Sequence, residues 1–200
     1  MCIRDRIAVG LKEGDDLFDV KRTDGHAIVS LAGSNGKLVS FYETDVRAMG
    51  RTAAGVKGMN LDDGSFIVGA TSSLEGDKML VLTTHGYGKI SYAKDTEITM
   101  EDGTTRTYDG YRLTSRGAKG VITIKTTPKT GDLCAVRAVN GDEDLLVVTG
   151  AGVVIRTPIS EIKIAGRNTQ GVKIIAVSDT TKVASIAILP HEDPLSLIHI

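Results

Sequence analysis

The chain has 200 residues, 41% of them hydrophobic and 24% charged, and its formal net charge is −1. This composition can bury a core, which excludes an intrinsically disordered protein, and no apolar run approaches the roughly 20 residues that a membrane-spanning helix needs. The net charge alone gives no sign of a nucleic-acid partner. Because Cys2 and Cys134 have no metal or disulfide spacing and the N-terminus has no signal peptide, we predict a cytoplasmic protein.

Three copies of one short motif recur along the chain. Each copy reads Arg, three residues, Gly and Val, and the copies begin at Arg51, Arg116 and Arg167. A turn glycine at positions 36, 86 and 152 precedes these arginines by 15, 30 and 15 residues. When the 15-residue insertion in the second copy is removed, the period is 50 to 51 residues. A period near 50 is typical of a propeller, in which each repeat forms one small sheet.

Each repeat has a β pattern throughout. In the second repeat an apolar run, Met79–Thr84, leads through a glycine turn into the extended run Lys89–Tyr92, which is typical of a hairpin. Two further runs follow the Arg motif, Val121–Ile124 and Leu133–Val139, and the first and third repeats have matching runs, which in the first repeat include Val56–Leu61. We therefore predict an all-β, propeller-like disc of four-stranded blades, truncated to about three blades plus a partial one, with almost no helix.

The repeat also divides the chain into segments. We expect a non-native end plus the remnant of a preceding blade at 1–14, blades at 15–65, 66–130 and 131–178, a final strand at 179–193 and a non-native tail at 194–200. The remnant is inferred because Asp5–Gly14 aligns with the segment that begins at Gly171. The insertion, Asp95–Asp109, is predicted to be a surface hairpin, since Glu101–Gly103 is a turn signal.

Charge follows the same period. Acidic residues collect at one phase of the repeat, for example Asp62 and Asp63 or Asp142–Asp144, and basic residues collect around the Arg motifs. If the repeats are equivalent in space, each blade has an acidic end and a basic end, and the basic ends form a curved track. Such a track matches the phosphates of DNA without base readout. The candidate DNA-binding residues are Arg47, Arg51, Lys57, Arg112, Arg116, Lys119, Lys163, Arg167 and Lys173.

Two other interpretations of these charges stay open. Charged turns are common in any soluble β-protein, and the motif arginine can cap a blade turn by bonding backbone carbonyls. The capping interpretation does not explain the basic residue four positions before each motif arginine, at Arg47, Arg112 and Lys163.

No catalytic constellation or cofactor site emerges from the sequence. The Gly-x-Gly turns at Gly86 and Gly150 lack a third glycine and a following helix, so hairpin turns explain them better than a nucleotide site. The four histidines have no ligand spacing, and no Ser/His/Asp set can be assembled. We predict no catalytic residue, no metal and no cofactor in this chain.

Three segments resemble the C-terminal domain of the DNA gyrase A subunit. They are Val46–Gly58, Arg116–Thr127 and Gly166–Lys173, and the likeness extends in register over about residues 6 to 190. The resemblance implies a six-bladed β-pinwheel whose basic perimeter wraps double-stranded DNA. It also implies, as partners in a holoenzyme, a B subunit and a second A subunit, with ATP and Mg used by other domains for negative supercoiling, and no membrane or small-molecule substrate.

The sequence departs from this family in two respects. The basic, glycine-containing heptapeptide known as the gyrase box is not present, although Arg116–Gly120 resembles a degenerate copy. The tyrosine domain that cleaves DNA is absent as well. The equivalent domain of the topoisomerase IV A subunit therefore stays open as an alternative, as does a propeller that serves as a protein-interaction module.

Overall fold

The computed structural model describes residues 9–100, 102–178 and 181–191. Within these residues the chain is all-β, as predicted, and helix is confined to two 3-10 turns, Glu43–Asp45 and Ile159–Glu161. The strands are β1 (Ile28–Gly33), β2 (Lys37–Tyr42), β3 (Ile67–Ser72), β4 (Lys78–Thr83), β5 (Tyr87–Tyr92), β6 (Thr96–Thr99), β7 (Thr105–Tyr108), β8 (Val121–Ile122), β9 (Leu133–Val139), β10 (Glu143–Thr149), β11 (Val154–Pro158), β12 (Val172–Lys173) and β13 (Val183–Pro190). None of the described residues form a helix long and apolar enough to cross a membrane.

Three antiparallel sheets form the blades. Their strand orders are β3-β1-β2-β8, β9-β4-β5-β12 and β13-β10-β11. At the centre of each sheet lies a hairpin, β1–β2, β4–β5 or β10–β11. The inner strands contact one another, β3 with β9 and β9 with β13, so the opposite side of each sheet lies at the outer rim of the disc.

The outermost strand of the first two sheets comes from the following repeat. Strand β8 comes after the second Arg motif but pairs with β2, and β12 comes after the third motif but pairs with β5. We call residues 55–59, 120–124 and 171–175 the guest segments, and the hairpins β1–β2, β4–β5 and β10–β11 the host hairpins. Because of this exchange, each of the first two sheets contains residues from two of the predicted segments 15–65, 66–130 and 131–178. Those segments therefore stay a prediction about the repeat units of the sequence.

The first guest segment differs from the prediction. The sequence predicts that Val56–Leu61 forms a strand like its counterparts, but this run belongs to no sheet. A strand needs a neighbour for its backbone groups, and the described residues contain no host hairpin that precedes this segment. The matching runs are also shorter than predicted, since only two residues of each, Val121–Ile122 and Val172–Lys173, pair as strand.

The core is aliphatic and lies between neighbouring sheets. Leu38, Val81 and Val136 are fully buried in one cluster that joins the first and second sheets. The inner strands approach closely there, because Gly69 of β3 has no Cβ and one at that position would overlap the side chain of Val136 in β9. The inner strands are therefore packed directly against one another.

The insertion forms the surface hairpin predicted for Asp95–Asp109. Strands β6 and β7 pair antiparallel, with Thr96 opposite Tyr108 and Thr99 opposite Thr105. Most side chains of the hairpin are exposed, and its base is held by the ring of Tyr108, whose centroid lies 5.3 Å from that of Tyr92.

The motif glycines offer a direct test of strand exchange. Gly55 and Gly120 both have φ near +80°, but a Cβ at Gly120 would lie 2.6 Å from the carbonyl oxygen of Leu38, whereas a Cβ at Gly55 would meet nothing within 4 Å. We expect Gly120→Ala to lower the free energy of unfolding by about 2–4 kcal/mol, from the left-handed φ and the clash, and Gly55→Ala by only about 1 kcal/mol. Urea denaturation in dilute solution measures both. Equal losses would contradict the pairing of β8 with β2.

Candidate functional site

The three Arg motifs lie in turns at the outer rim, and each turn ends in the first residues of a guest segment. We call residues 47–57, 112–120 and 163–173 the rim turns. Backbone hydrogen bonds tie the second and third rim turns to the chain just beyond the preceding rim turn: Asn60 N donates to Ala118 O over 2.9 Å, Gly117 N to Gly58 O over 2.7 Å and Lys125 N to Thr169 O over 2.9 Å. The structure thus brings the predicted basic sites of three repeats onto one continuous edge of the disc.

Arg116 links two of these turns. Its Nε donates to the carbonyl oxygen of Asp45 over 3.2 Å and its Nη1 to that of Lys57 over 2.9 Å, so the half-buried side chain fastens the second rim turn to the first. This is the capping role that is one of the open interpretations of the motif arginine. These two bonds engage the guanidinium group within the fold itself.

The other two motif arginines have different surroundings. Arg167 is half-buried and its Nε is enclosed without a hydrogen-bond partner in the described part of the chain. It lines a cavity of about 500 Å³ with Asp109 and Ile122, and also a cavity of about 640 Å³ between the first and second sheets. Arg51 is exposed. The three arginines therefore share a sequence position but not a set of contacts.

A buried lysine supports the third rim turn from below, and the sequence analysis does not identify it. Lys89 of β5 is fully buried, and its Nζ donates to the carbonyl oxygens of Gly166 and Arg167, the latter over 2.6 Å, and to Thr169 Oγ1 over 3.1 Å. Burial and the nearby charge of Arg167 lower the pKa of Lys89 to about 7. The only signal in the sequence is a lysine inside an otherwise uncharged run, directly after Gly88, and this position predicts no partner by itself.

Seven of the nine predicted DNA-binding residues have exposed side chains on the rim turns. Within the described residues one of them has a side-chain hydrogen bond, since Lys57 Nζ donates to Asn60 Oδ1 over 2.9 Å. The exposed residues are Arg47, Arg51, Lys57, Arg112, Lys119, Lys163 and Lys173. Apart from Lys57, these side chains can reach a polyanion from the rim without breaking a hydrogen bond to another described residue.

The separation of acidic and basic ends is only partial. Asp62 accepts hydrogen bonds from Lys37 Nζ over 2.7 Å and from Asn35 Nδ2 over 2.8 Å. These bonds, and to a smaller extent the charge of Lys119, hold the pKa of the Asp62 carboxyl below its usual value. The acidic turn at Asp62 therefore lies near the basic rim residue Lys119. The reason is that guest segment 120–124 pairs with the first host hairpin, which brings the second rim turn close to the acidic turn of the first repeat.

The other titratable groups show no catalytic arrangement in the described residues. Burial raises the pKa of the Cys134 thiol to about 12, which makes it a poor nucleophile. Asp144 is buried and paired with Arg156 and His191, each over 2.7 Å, and these hydrogen bonds lower the pKa of its carboxyl. No group of three or more His, Cys, Asp or Glu side chains within the described ranges is placed to hold a metal ion.

Comparisons with known proteins agree with this geometry. A family model described as DNA gyrase C-terminal domain, beta-propeller, matches residues 28–73, 109–140 and 143–190. The DNA gyrase A subunit of Ureaplasma parvum serovar 3 is 43% identical over 183 residues, which span 92% of this chain and 20% of that protein. The chain thus spans about a fifth of the length of the relative it matches.

Two solved structures share the fold. A DNA gyrase A C-terminal domain superposes with a TM-score of 0.71 at 23% identity, over 92% of this chain and 57% of that one. The C-terminal domain of DNA topoisomerase IV superposes with a TM-score of 0.74 at 22% identity, over 90% of this chain and 53% of that one. Both comparisons bear out the pinwheel fold of the described residues.

The role of Lys89 can be tested by proteolysis. In Lys89→Met, three oxygen acceptors beneath the third rim turn lose the hydrogen bond from the lysine, although Gly166 O keeps the one from Thr169 Oγ1, so the turn opens more often. We expect trypsin to cleave the native protein after Arg167 about tenfold faster than in the wild type, because cleavage follows the population of the open turn. Fragment masses over time provide the measurement.

Lys94→Met is the matched control, because Lys94 is exposed and lies just beyond the end of the same strand. It should leave cleavage after Arg167 unchanged. If Lys89→Met and the wild type were cut at the same rate, Lys89 would not hold the turn.

Proposed function

Because the chain belongs to the DNA gyrase C-terminal domain, beta-propeller family, we propose that it binds double-stranded DNA along its outer rim and bends it around the disc. The observation that carries this proposal is the continuous edge formed by the three rim turns, with seven exposed cations on it. Phosphate contacts of this kind supply affinity without sequence readout. The curvature of the disc then favours a bent duplex, since a straight one touches fewer of the cations.

In this proposal most rim cations contact phosphates, and one, Arg116, positions the turns that carry them. The cations at the fourth position before each motif arginine, Arg47, Arg112 and Lys163, are exposed and contact phosphates directly. Arg116 is a positioning residue, because its guanidinium joins the turns that carry Arg47 and Arg112. Arg51, Arg167, Lys57, Lys119 and Lys173 complete the track.

The wider context also belongs to the proposal. In a complete A subunit, DNA wrapped on this domain would be presented to the strand-passage machinery, with a second A subunit and a B subunit as partners and with ATP and Mg bound elsewhere. Negative supercoiling would follow from the hand of the wrap. The chain would act in the cytoplasm on the chromosome.

The equivalent role in topoisomerase IV is the second candidate. The observation that favours it is the TM-score of 0.74 with the topoisomerase IV domain, against 0.71 for gyrase. The sequence relatives favour gyrase, since the gyrase protein of Ureaplasma parvum is 43% identical. Both candidates require the same rim contacts.

The salt dependence of DNA binding tests the track. The triple variant Arg47→Ala, Arg112→Ala and Lys163→Ala removes one exposed cation from each rim turn. Each lost phosphate contact reduces the slope of log affinity against log salt by about 0.9, so we expect the slope to flatten by about three units on every duplex sequence. Fluorescence anisotropy over a salt series measures the slope, and energy transfer between the duplex ends measures the bend.

A second triple variant, Lys12→Ala, Lys129→Ala and Lys182→Ala, has the same change in net charge. These lysines are exposed but lie outside the rim turns, so their loss should leave the slope within about one unit of the wild type. If both triple variants flattened the slope equally, binding would depend on total charge and the rim track would be wrong.

A further inference from the structure

A cavity of about 640 Å³ lies between the first and second sheets. Each of these sheets has four strands, so the cavity is enclosed by two four-stranded blades. Ser30 and Ser40 line it from the first sheet, and Met79 and Ala138 line it from the second. Small-molecule sites have volumes of about 300–1,000 Å³ and combine an apolar lining with a few polar groups. The cavity has such a volume and such a mixed lining.

A short strap, residues 109–114, forms a third wall of the cavity and runs into the second rim turn. Tyr111 N donates to Ala93 O over 3.1 Å, just beyond β5, and Thr114 N donates to Ser40 O over 2.7 Å in β2. The strap is therefore bonded to both sheets. A site whose walls are held by the backbone loses little conformational freedom when a ligand binds, which favours affinity.

Two buried hydroxyl groups offer a hydrogen-bond donor in the wall formed by the first sheet. Ser30 and Ser40 are both buried, and their hydroxyl oxygens lie 2.8 Å apart. One hydrogen bond between two hydroxyl groups uses only one of their two hydrogens. Neither hydroxyl makes a further hydrogen bond to a described residue. One hydroxyl hydrogen is therefore available to a ligand.

Arg167 brings an unsatisfied charged donor to the same cavity. Its Nε is enclosed and donates to no described residue. Burial raises the pKa of the Tyr111 hydroxyl and the charge of Arg167 opposes that rise, so the guanidinium lies near this wall of the cavity. Neither Arg167 nor its neighbour Lys89 forms an ion pair with a carboxylate in the described ranges. An enclosed donor without an acceptor is costly, and an anion beside Arg167 removes that cost.

The charges that line the cavity also favour an anion over a cation. Three basic and two acidic residues line it, namely Lys94, Arg112 and Arg167 against Asp95 and Asp109. One of the two carboxylates is already engaged, since Asp95 Oδ1 accepts a hydrogen bond from Gly110 N over 2.8 Å. A ligand with a negative group therefore complements this lining better than a positive one.

We propose that this cavity binds a small organic acid with a flat aromatic body, and that the acid group pairs with Arg167. The aromatic body lies between the two sheet faces, in contact with Met79, Ala138 and the ring of Tyr111. The available hydroxyl hydrogen of the serine pair binds a second polar atom of the ligand. This binding needs no DNA, and it is an activity beyond the proposed function.

The probe for this site is 8-anilinonaphthalene-1-sulfonate, an aromatic acid, titrated without DNA into protein that carries ¹³C at its methionine methyl groups. An aromatic ring shifts the resonance of a methyl group that it contacts. We expect the Met79 resonance to shift and to saturate, whereas that of Met59, which is buried in a different core cluster, should stay in place. N-phenyl-1-naphthylamine has the same rings without the acid group, and this neutral probe should shift Met79 as well.

Three variants test where the ligand and its acid group lie. In Arg167→Met the sulfonate loses its charged partner, so we expect its affinity to fall at least about tenfold, while that of the neutral probe changes by less than about twofold. Arg137→Met is the matched control and should leave both affinities unchanged, because Arg137 is also half-buried but lines a different cavity, of about 550 Å³. In Ala138→Leu the larger side chain fills the cavity, so both probes should bind at least about tenfold more weakly.

Circular dichroism and the Met59 resonance establish that each variant is folded. In the wild type alone, a Met79 resonance without a saturable shift up to about 1 mM sulfonate would overturn the proposal. The proposal would also be wrong if Arg167→Met weakened both probes equally, or if Arg137→Met weakened the sulfonate as much as Arg167→Met does. Unchanged binding of both probes to Ala138→Leu would place them outside this cavity and would contradict the proposal as well.

Discussion

The structure depends on one interaction, the addition of a guest segment to the host hairpin of the preceding repeat, which the described residues make twice. A hairpin of six-residue strands is marginal by itself, and a third and fourth strand are needed to bury its faces. In this chain the fourth strand is only two residues long, as in β8 and β12, yet it brings with it the rim turn and the core residue Ile124. Neighbouring repeats are thereby fastened at the rim as well as through their inner strands.

This constraint explains why the motif keeps a glycine. The glycine adopts a left-handed φ and lets the guest backbone lie against the host carbonyl, as Gly120 does against Leu38. The arginine serves the fold in one copy, where Arg116 reaches the carbonyl oxygens of Asp45 and Lys57. Since the glycine, and in one copy the arginine, serve the fold, the motif by itself is not evidence for a ligand. The evidence for a ligand lies in the cations that the fold does not use.

Much of the fold could be predicted from the sequence, because its causes are local. The alternation of apolar runs and glycine turns predicts the three hairpins, and the two arms around Glu101–Gly103 predict the inserted hairpin β6–β7. The exchange of strands could not be predicted in this way. A pattern shows that Val121–Ile122 is extended, but which hairpin it joins depends on distant backbone groups, and for Val56–Leu61 the absence of a described host decides against a strand.

The candidate site shows the same limit more sharply. The repeat predicts nine cations at one phase, and the structure puts them on connected turns, but only the structure shows that Arg116 is bound to backbone while Arg47 is exposed. Lys89 illustrates the converse, since a lysine inside β5 is fully buried and holds a rim turn by three oxygens. A net charge of −1 is therefore compatible with binding a polyanion. Some cations are used inside the fold, acids such as Glu75 and Asp77 are paired with Lys21 and Lys78, and charges on the rim that touch a polyanion act at distances shorter than the roughly 10 Å over which salt screens them.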